Sequence, residues 1–291
     1  MRILHIRNIA GVASIISDEQ RKLGHRSDVL VFRRHPFQFR EDLVVPKWRF
    51  LLPKNYEVYH IHNTRKLDLI VPKLYGKKVI VHHHGTELRF HSKSIKFRIA
   101  RDLADVNLVS TPDLLKHLPE AYWVPNPIQI DRYEAKMSKP QPPLVGYYSP
   151  KDENHAEQIG VREIKQALEM LRKRKIKFKE SPLTGIPHRH VPSYLQSLSL
   201  FIDRLKMGWY GILGCEAALC GTPVIVNIHD DLTHLLPDSA FARSKPKELA
   251  DQIEDLLLNE NLRKRYVQET RRYIITTHDA KTVVEALMKY Y

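Results

Sequence analysis

Residues 201–227 read FIDRLKMGWYGILGCEAALCGTPVIVN. The apolar run Leu200–Asp203 fits a buried strand and opens into a loop holding Gly208 and Gly211. A helix is predicted over 212–220, carrying Glu216, and Gly221-Thr222-Pro223 stops it because proline cannot continue a helix. The run Pro223–Asn227 is a second strand. Strand, helix and strand in that order make a parallel crossover unit. The start of this helix suits an anion. Glycine lets the backbone approach closely, and the free N–H groups and helix dipole favour negative charge. Gly211, Ile212 and Leu213 would supply those amides, with Tyr210 beside them. Glu216, one turn into the helix, can accept hydrogen bonds from ribose hydroxyls, as acids do in dinucleotide folds. As a purely structural acid it would instead bond nearby amides.

The same rhythm extends outward. Strands are predicted at Ile3–Ile6, Val29–Phe32, Val58–His62, Lys78–His82, Val106–Val109 and Trp123–Val124, with helices over 12–23, 94–104 and 111–118. Pro125-Asn126-Pro127 and SKPQPP at 138–143 then interrupt regular structure. The pattern restarts with a strand at Leu144–Tyr148, a helix over 160–174, a strand near Ile176–Lys179 and a helix over 191–198. From Pro246 onward the chain reads as helical. The expectation is an α/β protein with two Rossmann-like domains. They cover residues 1–138 and 139–278, and their parallel sheets face each other across a cleft.

The chain has 291 residues, enough for two cores without staples. Its composition excludes disordered and collagen-like chains. Cys215 and Cys220 are the only cysteines, which excludes a disulfide scaffold. No apolar run reaches the ~18 residues that a membrane span needs, and MRILHIRNIAGVAS lacks a signal-peptide core. A cytoplasmic protein, peripheral on a membrane at most, is expected. The net charge is +14. Residues 1–125 carry 22 basic and 12 acidic side chains against 25 and 21 in the rest. The first half is therefore expected to face something anionic: a membrane surface, a nucleic acid or an acidic acceptor.

Glu216-Ala217-Ala218-Leu219-Cys220-Gly221-Thr222-Pro223-Val224-Ile225 resembles the donor-site signature of the GT-B glycosyltransferases, especially glycosyltransferase family 4. Asp203, Gly208-Trp209-Tyr210-Gly211 and Glu216-Ala217 together are similar to one branch of that family. The resemblance continues in Gly11 after the first strand, in His82-His83-His84-Gly85-Thr86-Glu87-Leu88-Arg89, and in Val124-Pro125-Asn126-Pro127-Ile128. It implies a GT-B fold and metal-independent transfer of a sugar from a nucleotide-sugar of UDP or GDP type. Anomeric configuration would be retained, and no cofactor is needed. Residues 279–291 would pack back on the first domain. By resemblance, Gly11 and His84 face the reacting sugar, and His188 lies near the base. Two positions depart from the pattern. Gly208 stands where many members carry an acid, and Ile159 stands where they carry a lysine, with Lys151 or Arg162 as the candidate substitute.

The first domain would hold the acceptor, so its basic residues Arg33, Arg34, Arg65, Lys66 and Arg89 are candidates for an anionic acceptor or surface. Phe37, Trp48 and Phe50 interleave with Lys47 and Arg49, a mixture suited to a membrane interface or to nucleic acid. Two other classes stay open: a nucleic-acid-associated protein, either glycosylating DNA or only binding it, and a sugar-nucleotide binder without catalysis. Consecutive histidines at 82–84, with His60 and His62 on a neighbouring strand, raise the question of a metal. Alternation sends His83 to the opposite face from His82 and His84, and no cysteine or acid stands close by, so no metal is expected.

Overall fold

The computed structural model describes residues 1–34, 39–45, 54–62, 66–85, 88–89 and 94–291, without the side chains of Lys66, Leu67 and Lys96. The chain forms two compact units. One comprises Met1–Gln129 with Thr277–Tyr291, and the other comprises Ile130–Thr276. Residues 130–138, assigned to the first domain from the sequence, pack within the second unit instead. Tyr133 bonds Glu216, and the Lys136 amide donates to the Cys220 carbonyl at 3.1 Å.

The first unit is built on a seven-stranded sheet. Its strands are β1 (Arg2–Ile6), β2 (Arg26–Val31), β3 (Leu43–Val44), β4 (Val58–His62), β5 (Lys78–His83), β6 (Val106–Val109) and β7 (Tyr122–Trp123). They lie in the order β3-β2-β1-β4-β5-β6-β7 and all pair in parallel. The order reverses between β1 and β4, the point where ligands of such sheets bind. Strand alternation sorts the side chains. Leu4, Ile6, Tyr59, Ile61, Val79 and Val81 form an apolar layer on one face. The other face receives Ile3 and His5 from β1, Val58, His60 and His62 from β4, and Ile80 and His82 from β5, by the registers His5↔His60 and His62↔His82. The helix Val12–Lys22 and the returning helix Ala280–Leu287 pack together in this unit. The helix Lys66–Leu74 packs against the helix Ile95–Leu103.

The second unit carries β8 (Leu144–Tyr148), β9 (Lys179–Leu183), β10 (Leu200–Ile202), β11 (Val224–Val226) and β12 (Ala242–Arg243) in the parallel order β12-β11-β10-β8-β9. The reversal falls between β8 and β10. The ninth strand is not the apolar run near 176. Ile176 and Phe178 pack as loop residues against the core, while the polar KESPL of 179–183 forms an edge strand that tolerates Pro182. Residues 111–118 form only the 3₁₀ turn Pro112–Lys116. Helices absent from the sequence reading occur at Lys66–Leu74 and Glu153–Ile159. Among the described residues, no helix is long and apolar enough to cross a membrane.

Candidate active site

The second unit converges on Glu216. The helix Ile212–Leu219 starts at Gly211, directly after the loop that leaves β10. Its second turn holds Glu216 at 3% exposure. Glu216 Oε1 accepts from the Tyr133 hydroxyl at 2.6 Å and faces His188 Nε2 at 2.8 Å. Glu216 Oε2 is buried and has no partner. A buried acceptor left empty costs roughly 1–3 kcal/mol, so this oxygen is primed for a hydroxyl donor. The hydrogen bond to Glu216 raises the His188 pKa above its usual value, against the opposing effect of burial.

That shift has a sign that can be measured. A protonated His188 paired with Glu216 contributes stability that is complete below the unfolded value near 6.5. The contribution is lost as pH rises through the raised folded value. The thermal midpoint, compared between wild type and His188→Gln from pH 6 to pH 9, is expected to differ most at pH 6 and to converge at high pH. A constant difference would remove the ion pair from the account.

The helix start differs from expectation in one respect. The Gly211 amide donates to Asp203 Oδ2 and is not free for phosphate. Asp203 is 4% exposed at the end of β10 and needs a donor there. Gly211 and Gly214 make room for it, since a Cβ at Gly214 would lie 2.6 Å from Asp203 Oδ2. The amides of Ile212 and Leu213, both half-buried, remain in the first helical turn, where no intrahelical acceptor exists. The Arg204 guanidinium lies over the same turn. Its Nη2 donates to the Tyr210 carbonyl at 2.6 Å, and a Cβ at Gly211 would lie 2.8 Å from its Nε. The Tyr210 ring is a core element. It stacks on Phe241 at 4.8 Å, and its hydroxyl meets that of Tyr273 at 2.9 Å. Lys151 is exposed in the loop after β8. Gly208 has φ of +69°, and a Cβ there would fall 2.3 Å from the His229 ring. The His229 imidazole therefore fills the space that a side chain at 208 would need.

In the first unit, Gly11 has φ of +79° and caps the helix Val12–Lys22, with Phe39 ring carbons 2.7 Å from where its Cβ would stand. Only glycine fits this turn. His84 follows β5 and faces His62 Nδ1 at 2.9 Å through Nε2. Burial lowers its pKa to about 3. His5, whose pKa burial lowers to about 4, joins the same layer, as do His60, His62 and His82, all held well below the usual value by burial and by one another. These imidazoles are neutral at pH 7. Arg33 and Arg34 are exposed beyond β2. Arg89 is not an open surface cation: it pairs with Asp113 at 2.7 Å and bonds Thr111 at 3.1 Å. Arg65, Thr86, Glu87, Phe37, Lys47, Trp48, Arg49, Phe50 and the Lys66 side chain lie outside the described residues. Reading the sequence missed Tyr133, Arg204, His229 and His5, each of which reaches its partner only through the fold.

Residues 214–289 match a family model described as "Glycosyl transferase-like". No curated protein matches the chain by sequence. Among solved structures, sucrose-phosphate synthase from Thermosynechococcus elongatus superposes over 100% of this chain and 98% of its own, with a TM-score of 0.72 at 11% identity. An alpha-glucosyltransferase in complex with UDP and a 13-mer DNA containing a central A:G mismatch gives 0.69 at 12% identity, over 99% and 98%. The catalytic domain of starch synthase IV from Arabidopsis thaliana, bound to ADP and acarbose, gives 0.63 at 12%, over 100% and 98%. The chain has the GT-B fold. The matched segment begins inside the helix of Glu216.

Proposed function

We propose that this protein is a glycosyltransferase that moves a sugar from a nucleotide-sugar to an acceptor. The observation that carries the reading is the buried, unpartnered Oε2 of Glu216 beside an oxygen already saturated by Tyr133 and His188. Ribose hydroxyls would fill it. Arg204, Lys151 and the Ile212 and Leu213 amides would neutralise the diphosphate, in place of a metal ion. His188 would lie by the base, and His229 would stand where the family's acid stands. His84 and Gly11 would serve the sugar. The family 4 resemblance supports retention of configuration without a cofactor.

Calorimetric titration with UDP, GDP and ADP tests this. One nucleotide is expected to bind, with or without a chelator. Glu216→Ala is expected to weaken it about 10- to 100-fold, the effect of about 1.5–3 kcal/mol for a hydrogen bond to a charged group. No binding by any nucleotide to the folded protein would defeat the proposal.

For the acceptor, the basic first half favours an anionic partner. DNA is one reading, supported by the neighbour whose structure holds both UDP and DNA. An anionic lipid surface is the other. Transfer assays offering duplex DNA beside anionic vesicles separate them.

A further inference from the structure

Beside His84, which faces His62, the first unit holds a cluster of three buried histidines that the proposed donor site does not use. His5 from β1 and His60 and His62 from β4 each offer a ring nitrogen, and these nitrogens lie within 4.8 Å of one another. Their outer nitrogens are each occupied. His5 Nε2 faces Gln20 Oε1 at 2.9 Å, and that oxygen also accepts from Ser27 Oγ at 2.8 Å. With Gln20 thus fixed as acceptor, His5 must donate from Nε2, which leaves its Nδ1 as a lone pair. His60 Nδ1 bonds the Tyr291 hydroxyl, and its Nε2 is buried without any partner. His62 Nδ1 faces His84 Nε2 at 2.9 Å, and its Nε2 comes within 3.0 Å of His5 Nδ1. In the metal-free protein His62 Nε2 therefore donates its hydrogen to His5 Nδ1. Each ring is held from outside at one nitrogen. This is how metal-binding imidazoles are held, the outer N–H group fixing both tautomer and angle.

We propose that His5, His60 and His62 bind a divalent transition metal, with zinc the ion whose preferences they fit. Neutral imidazoles suit zinc, copper and nickel. Tetrahedral zinc with Zn–N bonds of about 2.0–2.1 Å sets its nitrogens about 3.3 Å apart, against the 3.0 Å between His5 Nδ1 and His62 Nε2. Binding needs a small opening of that pair, a closing of the wider separations within the 4.8 Å cluster, and a turn of the His62 tautomer so that Nδ1–H donates to His84. Three histidines leave the fourth position to water. Its ionisation to hydroxide would reduce the buried charge. His82, with neither ring nitrogen partnered, lies next to the cluster with its ring 5.5 Å from that of His60. The inference does not rest on sugar transfer and gives the ion a structural role, joining β1 to β4 where the strand order reverses.

The test is metal retention. The protein is refolded with zinc sulfate, passed through gel filtration and analysed for zinc by mass spectrometry, and the cobalt form is examined by visible absorption. Expected are one ion per chain and the intense d–d bands of tetrahedral cobalt, both lost in His60→Phe. Both should be kept in Glu216→Ala and in His117→Ala, which removes an exposed imidazole. No retained ion, octahedral cobalt, or retention that survives His60→Phe would overturn the proposal, the last two marking surface imidazoles as the ligands. If His60→Phe does not fold, X-ray absorption of the wild-type zinc form decides. It must show three imidazole nitrogens at about 2.0–2.1 Å, and fewer would overturn the site.

Discussion

Acidifying the chelator-treated protein from pH 7 to pH 5 is expected to unfold its first unit. His5, His60, His62, His82, His84 and His278 are all buried or nearly so in that unit, and burial lowers the pKa of each, to about 4 for His5 and His278 and about 3 for His84. In the unfolded chain each returns to about 6.5. A group whose folded pKa is depressed stabilises fully above its unfolded value and loses that contribution as pH falls toward the folded one. The window therefore opens near pH 6.5 and extends down to about 3–4. By linkage, His5, His84 and His278 each cost about 2 kcal/mol between pH 7 and pH 5. Together they cost about 6 kcal/mol, a large part of the stability of an ordinary domain, and His60, His62 and His82 act in the same direction. Urea denaturation at successive pH values should show the unfolded state taking up several protons. A slope worth a single proton would mean that the imidazoles charge inside the fold, and the account would be wrong.

The second large effect concerns the missing acid. Gly208→Glu, the substitution that introduces the acid carried by many members of the resembled family, is expected to destabilise the second unit and to impair nucleotide binding instead of improving it. The backbone at Gly208 is left-handed, with φ of +69°, and the His229 ring fills the place of a Cβ. The His229 amide also donates to the Gly208 carbonyl at 3.0 Å, tying the two loops together. A left-handed non-glycine residue costs about 1–2 kcal/mol, and forcing in a side chain adds about 1–3 kcal/mol. The sum, about 2–5 kcal/mol, appears as a fall of many degrees in the melting temperature. A Gly208→Glu protein as stable as wild type, with tighter nucleotide binding, would show instead that the acid's site is intact. The space that a side chain at 208 would need is held by an imidazole from the loop after β11.

The parallel sheets could be read from the sequence because β1, β4, β5, β8, β10 and β11 are apolar runs buried on both sides. Strand β9 could not, because edge strands need no apolar run. It is held by its register with β8 and by side chains such as Tyr147, whose hydroxyl donates to Glu180 at 2.6 Å. The two-residue strands β3 and β12 carry too little pattern to be seen. Alternation correctly separated His83 from His82 and His84. It acts along one strand, however, and the approach of His5 to His60 is a matter of register between strands, which no single segment encodes. The same limit hid Tyr133, 83 residues from Glu216, in a stretch that resembled linker. Gly11 and Gly211 could be read because each sits where the chain turns into a helix, and those turns have local signatures; Glu216 follows one turn into the second of these helices.

The first unit is closed by residues from the far end of the chain. Ile128 pairs with Asp279 as an isolated bridge, its amide donating to the His278 carbonyl at 2.7 Å, and Lys78 Nζ reaches the Tyr291 carbonyl at 2.9 Å. During synthesis this has an order built into it. The ribosome releases Met1–Gln129 first, but the helix Val12–Lys22 then lacks its neighbour, Ala280–Leu287, until the whole of Ile130–Thr276 has emerged. The unit made first is the one finished last. The second unit, whose segment is continuous, can complete its core while the first still waits with an uncovered helix face, the interval in which a nascent chain most needs a chaperone.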